Sequence, residues 1–293
     1  MEGFCIVMPP SDAWGQPVGL ADSFDVPVIV RHSSPLWPER RLWRSQIDYD
    51  DLPWPTVRDL PPPGWYLVPT TWRDVIDAGM TVGRDPYAWL AAVPGLARAE
   101  ITARCSPLRA YLQRARSAPG AAAVTGYSLE PNVVYLEGTE KTARAMFAYR
   151  IGMTMAEWAC TRLLGLGPTV HAEATVPPDA GPTWSPANGL PDLVGVHWNN
   201  PTTWLVEAKG ARRTGLQQLA KGASQLSAAG LITGPHARVL CGTSIEHRVF
   251  MTIDAEKASG TAGAVSPSES RRPSPDEDDD ELLVLAGGAV AGD

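Results

Sequence analysis

The sequence has few cysteines and no long apolar run. Its four cysteines, Cys5, Cys105, Cys160 and Cys241, are far apart and form neither a Cys-x-x-Cys zinc pair nor a dense disulfide pattern. No apolar run approaches the roughly 20 residues that cross a bilayer. The opening MEGFCIVMPPSD carries an early acid, and its short apolar run ends at two prolines, so it does not resemble a signal peptide. These absences predict a cytoplasmic protein with no membrane partner.

The chain also lacks an excess of positive charge. Its 25 Lys and Arg against 32 Asp and Glu give a formal net charge of −7 over 293 residues. Residues 258–293 contain eight acids and two arginines, a net of −6, which leaves −1 for residues 1–257. A polyanion would therefore have to bind at a local basic patch, because the remaining chain has no broad positive field. The sequence contains no Gly-rich phosphate loop, so nothing in it suggests that the chain uses ATP.

Composition divides the chain into three regions. Residues 1–135 are rich in Pro and Trp and predict an accessory domain of unknown role, with short helices at Thr71–Ala78 and Ser106–Arg116. In the second helix Ser106 is the expected cap and Pro107 the first helical residue. Residues 258–293 predict a disordered acidic tail. That tail is either a solvating end or a segment that binds a partner.

Residues 136–257 predict an α/β domain. A long helix is expected from about Thr139 to Leu164, divided or bent at Gly152 and ended by Gly165. Three β-prone runs follow, PTVHAEATV, LPDLVGVHW and TTWLVEAKG, and then a helical run, GLQQLAKGASQLSAAG. ARVLCGTS and RVFMTID return to strand character. This order predicts a mixed sheet flanked by helices.

The second and third β-prone runs predict a hairpin that brings charges together. If Asn199 and Asn200 form a two-residue turn, Asp192 lies opposite Glu207. If the turn extends through Thr202, Asp192 lies opposite Lys209. Both registers place the three charged side chains on one face, whereas a three-residue loop would turn Asp192 to the other face. Cross-strand neighbours lie within about 5 to 6 Å, so two carboxylates there could share a divalent ion.

Such a group suits phosphodiester hydrolysis. A hard cation held by carboxylates neutralises an anionic centre and lowers the pKa of bound water. A lysine beside it can orient that water and stabilise developing charge. The plainer alternative is a surface salt-bridge cluster at the end of a hairpin.

The stretch from Pro191 and Asp192 to "EAK" at Glu207–Lys209 resembles the signature of the PD-(D/E)xK, or restriction-endonuclease-like, nuclease superfamily. The resemblance covers about residues 139–255 and implies a core of helix, three strands, helix and strand. It implies that Asp192, Glu207 and the carbonyl of Ala208 bind Mg²⁺ or Mn²⁺ and that Lys209 serves the attacking water. The implied substrate is DNA, in microbial defence or DNA processing, with RNA open as an alternative.

The resemblance also implies residues on both flanking helices. The run RIGMTMAEWACTRLLGLG is similar to the pattern that supplies a further metal-binding acid, here Glu157, although a solvated helix face would also carry that residue. A Gln of the helical run GLQQLAKGASQLSAAG, either Gln217 or Gln218, is a further candidate site residue. The Gln-x-x-x-Tyr pattern of one branch of the superfamily is absent from this run. A basic patch for the phosphate backbone would comprise Arg212, Arg213 and Lys221, with Lys209.

Two other readings keep the same fold. One is a nuclease-like module that binds DNA or a partner protein without cutting. In the other the first half is the functional module. A homodimer or a partner protein would then contact the N-terminal region or the acidic tail.

Overall fold

The computed structural model describes residues 18–31, 52–53, 60–83, 92–117, 124–227 and 230–258. The chain divides into two units, Met1–Gly260 and Thr261–Asp293, and all of the described residues belong to the first. The predicted tail beyond Ala258 lies outside the described residues.

The first half contributes strands and helices to one mixed α/β fold. Its elements are β1 (Ser23–Arg31), β2 (Leu52–Pro53), β3 (Gly64–Thr71), α1 (Trp72–Thr81), α2 (Pro94–Tyr111), β4 (Leu112–Arg116), β5 (Tyr127–Pro131) and α3 (Val133–Leu136). Helix α1 begins as predicted, because the Thr71 side chain accepts from the Asp74 N–H and the Asp74 side chain accepts from the Thr71 N–H.

The predicted helix Ser106–Arg116 is wrong. Helix α2 instead begins at Pro94, which occupies its first position, and Pro107 lies inside it. The chain leaves the helix at Leu112, because residues 112–116 pair with β5 as an antiparallel strand. Tertiary pairing therefore outweighs the local capping signal at Ser106.

The second half follows the predicted order. Its elements are α4 (Lys141–Trp158) with a π-helical turn (Ala159–Leu163), β6 (Val170–His171), 3₁₀ turns at Ala172–Ala174 and Pro186–Asn188, β7 (Leu193–His197), β8 (Asn200–Ala211), α5 (Leu216–Leu226), β9 (His236–Ser244) and β10 (Phe250–Ala258). Gly165 ends the helical run with a φ of 67°. Gly152 does not break α4, and the first β-prone run yields only the two residues of β6.

All of these strands join one curled, mixed sheet flanked by helices. The order along the sheet is β2-β3-β1-β10-β9-β8-β7-β6, and β5 pairs with both β1 and β4. Strand β1 runs parallel to β10, so the first half continues the sheet of the second. The predicted boundary at residues 135 and 136 therefore does not separate two compact units. Strand β1 is buried along nearly its whole length and needs β10 and β3 as partners.

The sheet separates two apolar cores. The larger lies on the α4 face and includes Leu193, Val206 and Cys241, and the smaller lies on the α5 face and includes Val194 and Leu205. Within the described part of the chain, no helix is both long and apolar enough to cross a membrane.

Candidate active site

The β7–β8 hairpin has the first of the two predicted registers. Leu193 pairs with Val206 and Val194 with Leu205, so the next step places Asp192 opposite Glu207. The turn itself differs from the prediction, because His197 pairs with Asn200 and the turn residues are Trp198 and Asn199. A bulge then inserts two extra residues of β8, which keeps the side-chain alternation unchanged.

The three charged side chains share the α5 face of the sheet. Val194 and Leu205 belong to the core on that face, and each lies two residues from one of the acids, Asp192 and Glu207. Helix α5 passes directly over them at Gly222. A Cβ built on Gly222 would lie 3.2 Å from Cγ of Glu207 and 3.3 Å from Cε of Lys209. The helix can approach this closely only because residue 222 has no side chain.

Backbone and side-chain hydrogen bonds fix the acids. The N–H of Ala208 donates to Oδ2 of Asp192 at 2.8 Å, and the N–H of Asp192 donates to Oε2 of Glu207 at 3.3 Å. The two carboxyl groups are close enough for the charge of Asp192 to raise the pKa of Glu207. Lys209 Nζ donates to Oε1 of Glu207 and, at 2.9 Å, to Oε1 of Gln225 on α5. The predicted trio therefore forms one polar group in the structure.

This group holds two acids where ionisation is unfavourable. Burial and then the charge of Asp192 raise the pKa of Glu207 to about 7, against the opposing effect of Lys209. Burial also raises the pKa of Asp192, while the Ala208 N–H, Lys209 and His171 oppose the rise. One lysine thus faces the buried carboxyl group of Glu207 and the half-buried one of Asp192, and a further cation would relieve their repulsion.

The donor set fits a hard divalent cation. Mg²⁺ commonly takes one or two carboxylates and completes its octahedron with water and substrate oxygens. The carbonyl of Ala208 is a third candidate, because a strand residue directs its N–H and C=O to the same side and the Ala208 N–H points to Asp192. Among the described residues, no group of three or more His, Cys, Asp and Glu side chains is arranged to hold a metal. A cation at this place would take its protein ligands from Asp192, Glu207 and the carbonyl of Ala208.

Glu157, the predicted fourth ligand, does not join this group. It is fully buried, and it accepts hydrogen bonds from the Thr169 N–H at 3.2 Å, from the Thr169 hydroxyl and from the Thr81 hydroxyl. Thr169 Cγ2 would lie 3.5 Å from a Cβ on Gly195, three residues or about 10 Å along β7 from Asp192. Gly195 faces the α4 side, as Leu193 does, so Glu157 and Asp192 approach opposite faces of the sheet.

The other predicted contacts occupy two places. On α5, Gln217 and Lys221 are exposed and Gln218 is half-buried, and the Gln that contacts Lys209 is Gln225. Beyond the end of β8, Arg212 and Arg213 are mostly exposed, and both pair with Glu246. None of these five predicted residues has a hydrogen bond or ion pair with Asp192, Glu207 or Lys209 among the contacts described.

Two residues near the site, Gln225 and Tyr149, were missed in the sequence. Gln225 lies three positions after Gly222, so both lie on one face of α5, but this spacing alone does not show that the face meets Lys209. Tyr149 of α4 and His171 of β6 lie within electrostatic reach of Asp192. The sequence carries no signal for Tyr149, because its position depends on how α4 packs against β8.

Glu207→Gln is expected to stabilise the metal-free protein at pH 8 and to change it little at pH 5. Because the fold raises the pKa of this acid, the protein is most stable at pH values below 4.5, the usual pKa of a glutamate. Its stability falls as the pH rises to about 7. That interval corresponds to at most about 3 kcal/mol, and a neutral amide avoids the loss. Urea unfolding in EDTA at both pH values measures the difference. Glu137→Gln, at an exposed acid, is the control; an equal effect of Glu207→Gln at pH 5 and pH 8 would contradict the assignment.

Comparisons with known protein families, with curated proteins and with solved structures find no match.

Proposed function

We propose that this chain is a Mg²⁺- or Mn²⁺-dependent deoxyribonuclease of the PD-(D/E)xK type. The observation that carries the proposal is the juxtaposition of the Asp192 and Glu207 carboxyl groups with the Lys209 ammonium on one face of a hairpin. The order of helix, three strands, helix and strand in α4, β6, β7, β8, α5 and β9 also supports it. The cytoplasm is the proposed compartment.

Each side chain has a definite role in this proposal. Asp192, Glu207 and the Ala208 carbonyl would hold the cation, which would supply charge neutralisation at the phosphodiester and acidify water. An ammonium has three N–H donors, and Lys209 uses two of them on Glu207 and Gln225. The third remains to orient the attacking water or to stabilise charge on the phosphate. Glu207 also holds the lysine close to the reacting group.

A second candidate is a nuclease-like module that binds DNA without cutting it. The observation that favours it is the position of Glu157, without which the polar group has the carboxylates of Asp192 and Glu207 and no third acid among the described residues. Hydrolysis with two carboxylates is still consistent with how Mg²⁺ is usually held, because substrate oxygens complete its coordination.

A plasmid assay distinguishes the two candidates. Purified full-length protein is expected to nick or linearise supercoiled DNA with Mg²⁺ or Mn²⁺, and excess EDTA is expected to stop the reaction. Gel electrophoresis over a time course measures the rate. Binding of the plasmid without cleavage under every metal condition would favour the module and overturn the nuclease; single-stranded DNA is assayed in parallel so that substrate choice does not hide activity.

A further inference from the structure

Tyr149 of α4 presents an exposed aromatic ring within electrostatic reach of Asp192 and Glu207. It lies on α4 and is 54% exposed, although Ala148 before it is buried. The helix touches β8 at this point, because a Cβ on Gly210 would lie 2.9 Å from the Ala148 carbonyl carbon, and Gly210 directly follows Lys209. Burial of the hydroxyl and then the charge of Asp192 raise the pKa of Tyr149, and Glu173 and Glu207 add to the rise. Strand β8 continues to Ala211, past the level of Leu193, the first residue of β7, so at this edge of the sheet a ring on α4 can approach the acids of the opposite face.

Arg212 and Arg213 present positive charge just beyond the end of β8, the strand that carries Lys209. They follow β8 directly, and Arg212 is three residues or about 10 Å beyond Lys209. Their side chains are 70% and 63% exposed, while Glu246, which pairs with both, is only 11% exposed. Glu246 anchors the two guanidinium groups and balances one of the two charges, so this arginine pair keeps a positive charge that faces solvent.

We propose that the site binds single-stranded DNA, with a base stacked on Tyr149 and the backbone phosphate held by Arg212 and Arg213. This inference rests on the proposed nuclease function, since it treats the acid pair as the place of cleavage. A ring can stack on the face of a base only where the strand is unpaired, and such stacking tolerates any sequence.

The charge balance favours the same substrate. A duplex is held mainly by many phosphate contacts, which require a broad basic surface. Residues 1–257 carry a net charge of only −1, from the −7 of the whole chain less the −6 of residues 258–293. A local arginine pair and one aromatic ring suit a short length of single strand.

Fluorescence anisotropy in EDTA tests the proposal without cleavage. The probes are a labelled single-stranded oligonucleotide and the matched duplex, and the protein is the full chain. Tyr149→Ala is expected to bind the single strand about 5- to 150-fold more weakly, the range that stacking one base supports. Tyr149→Phe is expected to stay within about twofold of the wild type, because it keeps the ring. Trp198→Ala, which removes a 62% exposed aromatic side chain at the turn of the hairpin, is the control.

The arginines are tested by salt dependence. Arg212→Ala and Arg213→Ala are each expected to lower the slope of log affinity against log salt by about 0.7, the value for one phosphate contact on a single strand. Arg162→Ala is the matched control, because Arg162 is 56% exposed and also pairs with one acid, Asp74. Any one of three results would overturn the proposal: tighter binding of the duplex than of the single strand, equal losses of affinity in Tyr149→Ala and Trp198→Ala, or unchanged salt slopes for both arginine variants. Selective strand binding with no cleavage of either the plasmid or single-stranded DNA under any metal condition would instead reject only the nuclease function.

Discussion

Asp192→Asn, Glu207→Gln and Lys209→Met are each expected to lower the rate of metal-dependent DNA cleavage by about 100- to 1000-fold, the effect of removing one well-placed polar group from a reacting centre. Each substitution removes one charge from the polar group on the α5 face and nearly preserves its volume. Asp192→Asn weakens the acceptor that now binds the Ala208 N–H. Lys209→Met removes both the partner of Glu207 and the donor to Gln225. Single-turnover cleavage measures the rate, and circular dichroism checks the fold.

Two further variants make this result specific. Glu137→Gln is expected to retain full activity, because Glu137 is exposed and outside the site. Glu157→Gln addresses the fourth position, and the hydrogen bonds of Glu157 to Thr169 and Thr81 predict activity within about threefold of the wild type. Wild-type rates in all three site variants would show that the polar group is a salt-bridge cluster. A loss with Glu157→Gln as large as that with Glu207→Gln would restore Glu157 to the site.

Glu207→Gln links activity to stability. The raised pKa of Glu207 implies that its ionised carboxylate lowers the stability of the folded protein at neutral pH. A variant that is more stable in EDTA at pH 8 and yet inactive would show that the acid is retained for function, because functional sites commonly reduce stability. A purely structural salt bridge would produce the opposite change in stability at pH 8.

The hairpin could be predicted from the sequence because side-chain alternation has a period of two. Any even shift in register keeps Asp192, Glu207 and Lys209 on one face. The turn was expected either at Asn199 and Asn200 or extended through Thr202, yet it comprises Trp198 and Asn199, and the bulge in β8 restores the first expected pairing of the strands. The prediction therefore depended on parity, which a local error at the turn did not change.

Long-range packing could not be predicted in this way. Helical spacing shows that Glu157 shares a stripe with its neighbours, but not which side of the sheet the stripe contacts. The Pro- and Trp-rich composition of the first half suggested a separate domain. Local patterns could not reveal that β1 pairs with β10, because that pairing joins residues more than 200 positions apart. Gln225 contacts Lys209 only because Gly222 lets α5 approach β8, and that contact depends on the tertiary fold.

The contact of α4 with β8 predicts the largest effect on stability. A Cβ on Gly210 would overlap the Ala148 carbonyl oxygen and lie 2.9 Å from Cα of Gly152, and a Cβ on Gly152 would lie 2.8 Å from the Gly210 N atom. Neither glycine has a positive φ, so the space between helix and strand, rather than backbone conformation, excludes a side chain.

Gly210→Ala is therefore expected to lower the free energy of unfolding by about 3 kcal/mol or more, the upper range for an overpacked core, because backbone atoms of α4 must move. Urea unfolding followed by circular dichroism measures the loss. Gly95→Ala in α2 is the matched control: a Cβ there has no atom within 4 Å, so we expect no loss and a gain of up to about 1 kcal/mol. Because Gly210 follows Lys209, the displacement should also slow cleavage. Wild-type stability in Gly210→Ala would show that α4 does not pack against β8 at this point, and the position inferred for Tyr149 would then lose its geometric basis.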